Sequence, residues 1–76
     1  MTLTQEHLNE LNLLLQFDLN SAATGIKVRS DAPDDTQKAA SQLFHKGLCT
    51  QPDGGYLTDE GIEIAERLER TARRLA

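Results

Sequence analysis

Apolar positions along the 76-residue chain recur with helical period in three stretches and alternate with polar ones in a short fourth. Leu8, Leu11, Leu14 and Leu15 stand three or four apart and line one stripe of a helix, with Leu13 off that stripe. Thr4 is placed to accept from a free backbone N–H of the first turn, and Leu3 and Leu8 occupy the two positions of a hydrophobic staple. The first helix therefore starts at Thr4 and fades by Phe17 or Asp18. From Asp18 to Ser30 the helical period is lost, and Asn20, Ser21, Thr24 and Gly25 favour a loop or one short turn of helix. Ile26-Lys27-Val28-Arg29 alternates as a short half-buried strand does.

Asp31 reads as the cap of a second helix beginning near Ala32. Pro33 is tolerated in its first turn, and Asp34 and Asp35 complement the helix dipole. Ala39, Ala40, Leu43 and Phe44 form its buried face, and Gly47 supplies a left-handed residue after which Leu48 folds back on Leu43. Gln51-Pro52-Asp53-Gly54 is the chemistry of a type I turn with a glycine bulge, flanked by strands Leu48 to Gln51 and Gly55 to Leu57. Thr58 caps a last helix, Leu57 and Ile62 repeat the staple, and Ile62, Ala65, Leu68, Ala72 and Leu75 form one apolar side. Three acid-first pairs, Glu63 with Arg67, Glu66 with Arg70 and Glu69 with Arg73, sit one turn apart. The expected fold is one domain over residues 1–76, mainly α with a small β-hairpin, in the order helix, strand, helix, hairpin, helix.

Size and charge narrow the classes. A chain this short buries only about 60% of the surface its unfolded form exposes, so the core is small. The formal net charge of −4 disfavours polyphosphate partners unless the cations gather on one face. No apolar run is long enough to span a bilayer, and MTLTQEHLNE lacks the basic and then apolar regions of a signal peptide. The expectation is a cytoplasmic protein without a membrane partner. The single Cys49 agrees with a reducing compartment.

Leu43 to Leu48 (LFHKGL), Pro52 to Gly55 (PDGG) and Tyr56 to Gly61 (YLTDEG) resemble the end of a helix, the wing and the closing helix of winged-helix transcription regulators. Over nearly the whole chain, including LNLLLQFDL from Leu11 and IKVRSD from Ile26, the sequence is also similar to a family of small gammaproteobacterial proteins of uncharacterised activity. Members of that family have carried labels such as DNA-binding protein, regulator, or relative of an inhibitor of DNA binding. The resemblance implies a winged-helix-like regulatory protein. The plan is degenerate, because there is room for about one helix between the strand at Ile26 and the hairpin, where winged helices have two.

Two kinds of contact surface follow. Arg67, Arg70, Arg73 and Arg74, with Lys27 and Arg29, are candidates for a phosphate-facing strip, and Lys38 is a further cation in the second helix. Four neutralised phosphates would give a log–log salt slope of about −3.6. The competing reading is a solvated helix face, since three of these arginines have a Glu one turn earlier. The hairpin tip, Gln51 to Gly54, has no cation and reads as a structural closure. Leu13, Leu14 and Phe17 are candidates for an apolar interface with a protein partner or a second copy. His7, His45 and Cys49 lack metal-ligand spacing, the aspartates do not follow a calcium-loop pattern, and no nucleophile and base are paired. The expectation is a binding module rather than an enzyme, with no cofactor or metal and with DNA, a protein or a second copy as partner.

Overall fold

The computed structural model describes residues 1–21 and 23–76, so residue 22 of the expected 18–30 loop lies outside the described residues. The described chain forms α1 (Gln5–Leu14), β1 (Ile26–Lys27), α2 (Asp34–His45), β2 (Cys49–Gln51), β3 (Gly54–Leu57) and α3 (Asp59–Leu75). The strands make one antiparallel sheet in the order β1-β3-β2, so the strand expected alone joins the hairpin and the fold is mixed α and β.

Local chemistry accounts for most element ends. Thr4 Oγ1 accepts from the His7 amide at 3.1 Å, and His7 Nδ1 accepts from the Thr4 amide at 3.1 Å. This capping box uses a histidine where Glu or Gln is usual. At the end of α2, Gly47 takes φ 77°, Leu48 N–H donates to the Leu43 carbonyl and Gly47 N–H to the Phe44 carbonyl. These two bonds are the Schellman pattern expected there. In the hairpin, Gln51 pairs with Gly54 and Cys49 with Leu57, which leaves one extra residue on β3. Thr58 Oγ1 accepts from the Gly61 amide at 3.0 Å and donates to the Gly47 carbonyl at 2.7 Å, tying the start of α3 to the end of α2.

Four expectations are corrected. α2 is capped by Pro33, without a side-chain cap, and starts at Asp34; Asp31 lies outside it, exposed, 3.4 Å from Arg29. Gln37 organises the entry instead, donating to the carbonyls of Ser30 and Ala32. On α1 the buried side is Glu10, Leu13 and Leu14, continued by Phe17, while Leu8 and Leu15 are each 41% exposed. Leu13, Leu14 and Phe17 are therefore core, and no interface can be read from them as an exposed patch. The reason is that the Leu11–Leu15 run contains two overlapping stripes, and the flat Ala39–Ala40 surface of α2 receives the second. At the other end of the chain, Leu75 is 84% exposed, not part of a buried face.

The core cluster joins Leu13, Leu14 and Phe17 to Ala39, Ala40, Leu43, Leu48 and Cys49, with Ile26, Val28, Leu57, Ile64 and Leu68 packed against it. Each fully buried Leu contributes roughly 1.5–3 kcal/mol. Two ion pairs cross from α1 to α2, Lys38 to Glu6 at 2.8 Å and Lys46 to Glu10 at 2.6 Å. Hydrogen bonding to Lys38, reinforced by its charge, holds the exposed Glu6 carboxyl below the ordinary range and raises the Lys38 ammonium. A carboxyl lowered in the folded state stabilises above its unfolded pKa and loses that contribution as pH falls through the folded value. The raised ammonium stabilises below its unfolded pKa and loses that contribution as pH rises through the folded one. Lys38→Met is thus expected to lower the urea midpoint slightly at neutral pH in low salt. The difference from wild type should shrink as pH falls through the lowered Glu6 value; urea titrations at neutral and at acid pH measure it.

Candidate functional site

Only the first half of α3 packs on the body. Gly61 and Ala65 are buried, and Ile64 and Leu68 lie against the core, whereas Arg70, Thr71, Arg73, Arg74 and Leu75 are exposed. Arg67, Arg70 and Arg74, spaced by three and four, surround a shallow depression of about 290 Å³ with Thr71. The Thr71 hydroxyl donates to the Arg67 carbonyl at 3.0 Å. Two of the three expected helical pairs form, Glu63 with Arg67 at 2.6 Å and Glu69 with Arg73. Among the ion pairs of the described residues, Arg70 and Arg74 have no carboxylate partner.

The remaining candidate cations lie elsewhere. Lys27 lines a groove of about 540 Å³ between β1, the start of α2 and the hairpin tip, with Val28, Ser30, Gln37, Gln51, Pro52 and Asp53. Val28 N–H donates to the Asp53 carbonyl at 2.7 Å and closes one side of it. The charges on this wall are one Lys and one Asp, and the Gln37 amide is already engaged, so little of it is free for an anion. Lys38 is held by Glu6 and Arg29 stands at Asp31. Of the seven cations singled out, three share one face.

Pattern reading missed an apolar groove of about 190 Å³ where α1, the end of α2 and α3 meet, lined by Leu3, Leu11, Leu14, Leu48 and Ile64 among others. In its wall Glu10, 6% exposed, meets Lys46, which leaves the carboxylate paired where burial alone would make it costly. The one-turn spacing of Glu6 and Glu10 was the available signal for these inter-helix pairs. Nothing local shows that Ile64 continues the surface of α1.

The residues weighed for metal binding or catalysis are in other uses. His7 Nδ1 is bound in the capping box, and His45 is exposed with its ring edge-on to Phe44 at 5.6 Å. Cys49 is buried, and desolvation pushes its thiol up, which disfavours the nucleophilic thiolate. Among the described residues no three His, Cys, Asp or Glu side chains converge on a metal position. Nor, among them, is any helix long and apolar enough to cross a membrane.

No curated protein and no solved structure matches the chain. A family model does, from residue 1 to residue 76, and by that match the chain belongs along its whole length to a family of unknown function, DUF5669.

Proposed function

We propose that the protein is a non-catalytic, cytoplasmic regulatory module on a reduced winged-helix plan, and that it contacts the phosphate backbone of DNA through Arg67, Arg70 and Arg74. The observation that carries this reading is their gathering around Thr71 on one exposed side of α3. Guanidinium groups on one helix face bind phosphate oxygens bidentately. The plan is supported by the element order and by the pairing of β1 with β3, which extends the hairpin into a three-stranded wing sheet. α2 opens with Asp34 and Asp35, and these carboxylates oppose entry into the major groove. The contact is therefore to backbone, with little reading of bases.

A protein-binding role is favoured by a different observation, the apolar Leu75 left 84% exposed at the end of α3. A mobility-shift titration separates the two. The DNA reading expects retardation of random duplex at low salt with a log–log salt slope of about −2.7 for three phosphates, lost in the Arg70→Ala/Arg74→Ala variant. No retardation at about 100 μM removes that reading and leaves the protein-binding one.

A further inference from the structure

We infer that two copies of the chain pair through the outer side of α1, the helices antiparallel about a two-fold axis that passes between Leu11 and Asn12. The observation behind this is exposed apolar surface on a helix side without charge. Leu8 stands two residues from Glu10, and Leu15 two residues from Leu13 and Phe17, which is about 200° around the helix in each case. Both leucines therefore face away from α2, and each is 41% exposed. Glu6 and Glu10, the two carboxylates of α1, are held on the opposite side by Lys38 and Lys46. From Leu11 to Phe17 no residue is charged, and the exposed amides of Gln5, Asn12 and Gln16 complete the outer side. By contrast, α3 turns carboxylates outward in its first half and arginines in its second. A solvent face normally carries the charges, and their depletion around apolar side chains marks the centre of an interface.

A second copy fits this face by charge and by register. The net charge of −4 on each copy repels, and an uncharged face keeps that repulsion distant while selecting no oppositely charged partner. Leu8 lies three and a half residues before the axis and Leu15 the same distance after it. In the antiparallel pair Leu8 of one copy is thus level with Leu15 of the other, and the same exchange occurs in reverse, so the interface is self-complementary and closed. Leu11 and Asn12 straddle the axis, and each comes within one residue's rise of its own counterpart. An amide has donors and an acceptor, so Asn12 bonds its counterpart reciprocally and fixes the register. Antiparallel order also sets the two helix dipoles against each other, where a parallel pair would align them. Gln5 to Gln16 is about 18 Å of helix. One side of it offers less than the about 800 Å² per partner of a stable interface, so the pairing is weak and rises with concentration.

The test is sedimentation equilibrium on the wild-type chain in low and high salt, and on Leu8→Glu, Leu15→Lys and their equimolar mixture, with circular dichroism to verify that each is folded. Neither leucine belongs to the core cluster, so the fold should hold. The wild type should dimerise with concentration, and added salt should not weaken it, because the contact contains no ion pair. Each single variant should dimerise at least tenfold more weakly, since a charge then meets leucine at both exchanges. Their mixture should recover dimer: the heterodimer sets the introduced acid beside the introduced base at one exchange and leucine beside leucine at the other. A parallel pair gives no such recovery. Should a charged variant fail to fold, Leu8→Gln, with the same expected loss, takes its place. A wild type still monomeric at about 1 mM, the weak end of specific association, overturns the proposal. So does association that falls tenfold in high salt, as do variants that dimerise like the wild type or a mixture no better than its components.

Discussion

Gly61→Ala is expected to lower the thermal midpoint by about 10–20 °C, the consequence of roughly 3 kcal/mol in a domain of this size. Gly61 lies in the first turn of α3, with its N–H held by Thr58 Oγ1. A methyl group built on it would sit 2.0 Å from the Leu48 carbonyl oxygen and 3.0 Å from the carbonyl carbon. Those atoms are backbone and cannot swing aside. The Leu48 carbonyl also accepts from Thr58 N–H at 3.1 Å, and Leu48 N–H holds the end of α2 through the Leu43 carbonyl. Moving α3 away to admit the methyl would strain the Thr58 cap and the Leu48 turn together. Gly47→Ala is the control: Gly47 has φ 77°, but an added Cβ meets nothing within 4 Å. It should cost only the left-handed strain, about 1 kcal/mol. Differential scanning calorimetry of the two variants compares them, and equal losses would refute the packing role of Gly61.

Leu14→Ala is expected to cost about 3–5 kcal/mol, while Leu15→Ala one residue later costs less than about 1 kcal/mol. Leu14 is 2% exposed within the core cluster, and its loss leaves a cavity between α1 and α2. Leu15, 41% exposed, is the cap residue at the end of α1. A chain of 76 residues has a total stability of about 4–11 kcal/mol, so the Leu14 variant should lose a large share of it. Urea titration followed by circular dichroism measures both. Leu8, Leu11, Leu14 and Leu15 make one stripe by spacing, and comparable losses at Leu14 and Leu15 would restore that stripe as the buried one.

Turn and cap residues act within four or five positions of the chain, and these were legible. Thr4, Gly47, the Pro52-Asp53-Gly54 turn and Thr58 all have the roles their chemistry implies. Asp31 misled because two possible caps, an Asp and a Pro, stand two residues apart. The entry of the chain, fixed by Gln37 on the Ser30 and Ala32 carbonyls, chose between them. The arginines at 67, 70 and 74 were visible as a spacing. Their exposure depended on how far along α3 the body continues, and it ends after Leu68.

Residue order and local chemistry specified the elements, their caps and the segregation of charge along α3, because these depend on near neighbours. Packing in three dimensions settled which face of α1 is buried, where β1 pairs, and which cations are tied to carboxylates. These depend on residues far apart in the chain. Leu13 needs the small surface of Ala39 and Ala40, Lys38 meets Glu6 from another helix, and Gly61 is required by a carbonyl thirteen positions earlier. No periodicity encodes such contacts. They follow from close packing, in which each buried side chain takes the space its distant neighbours leave.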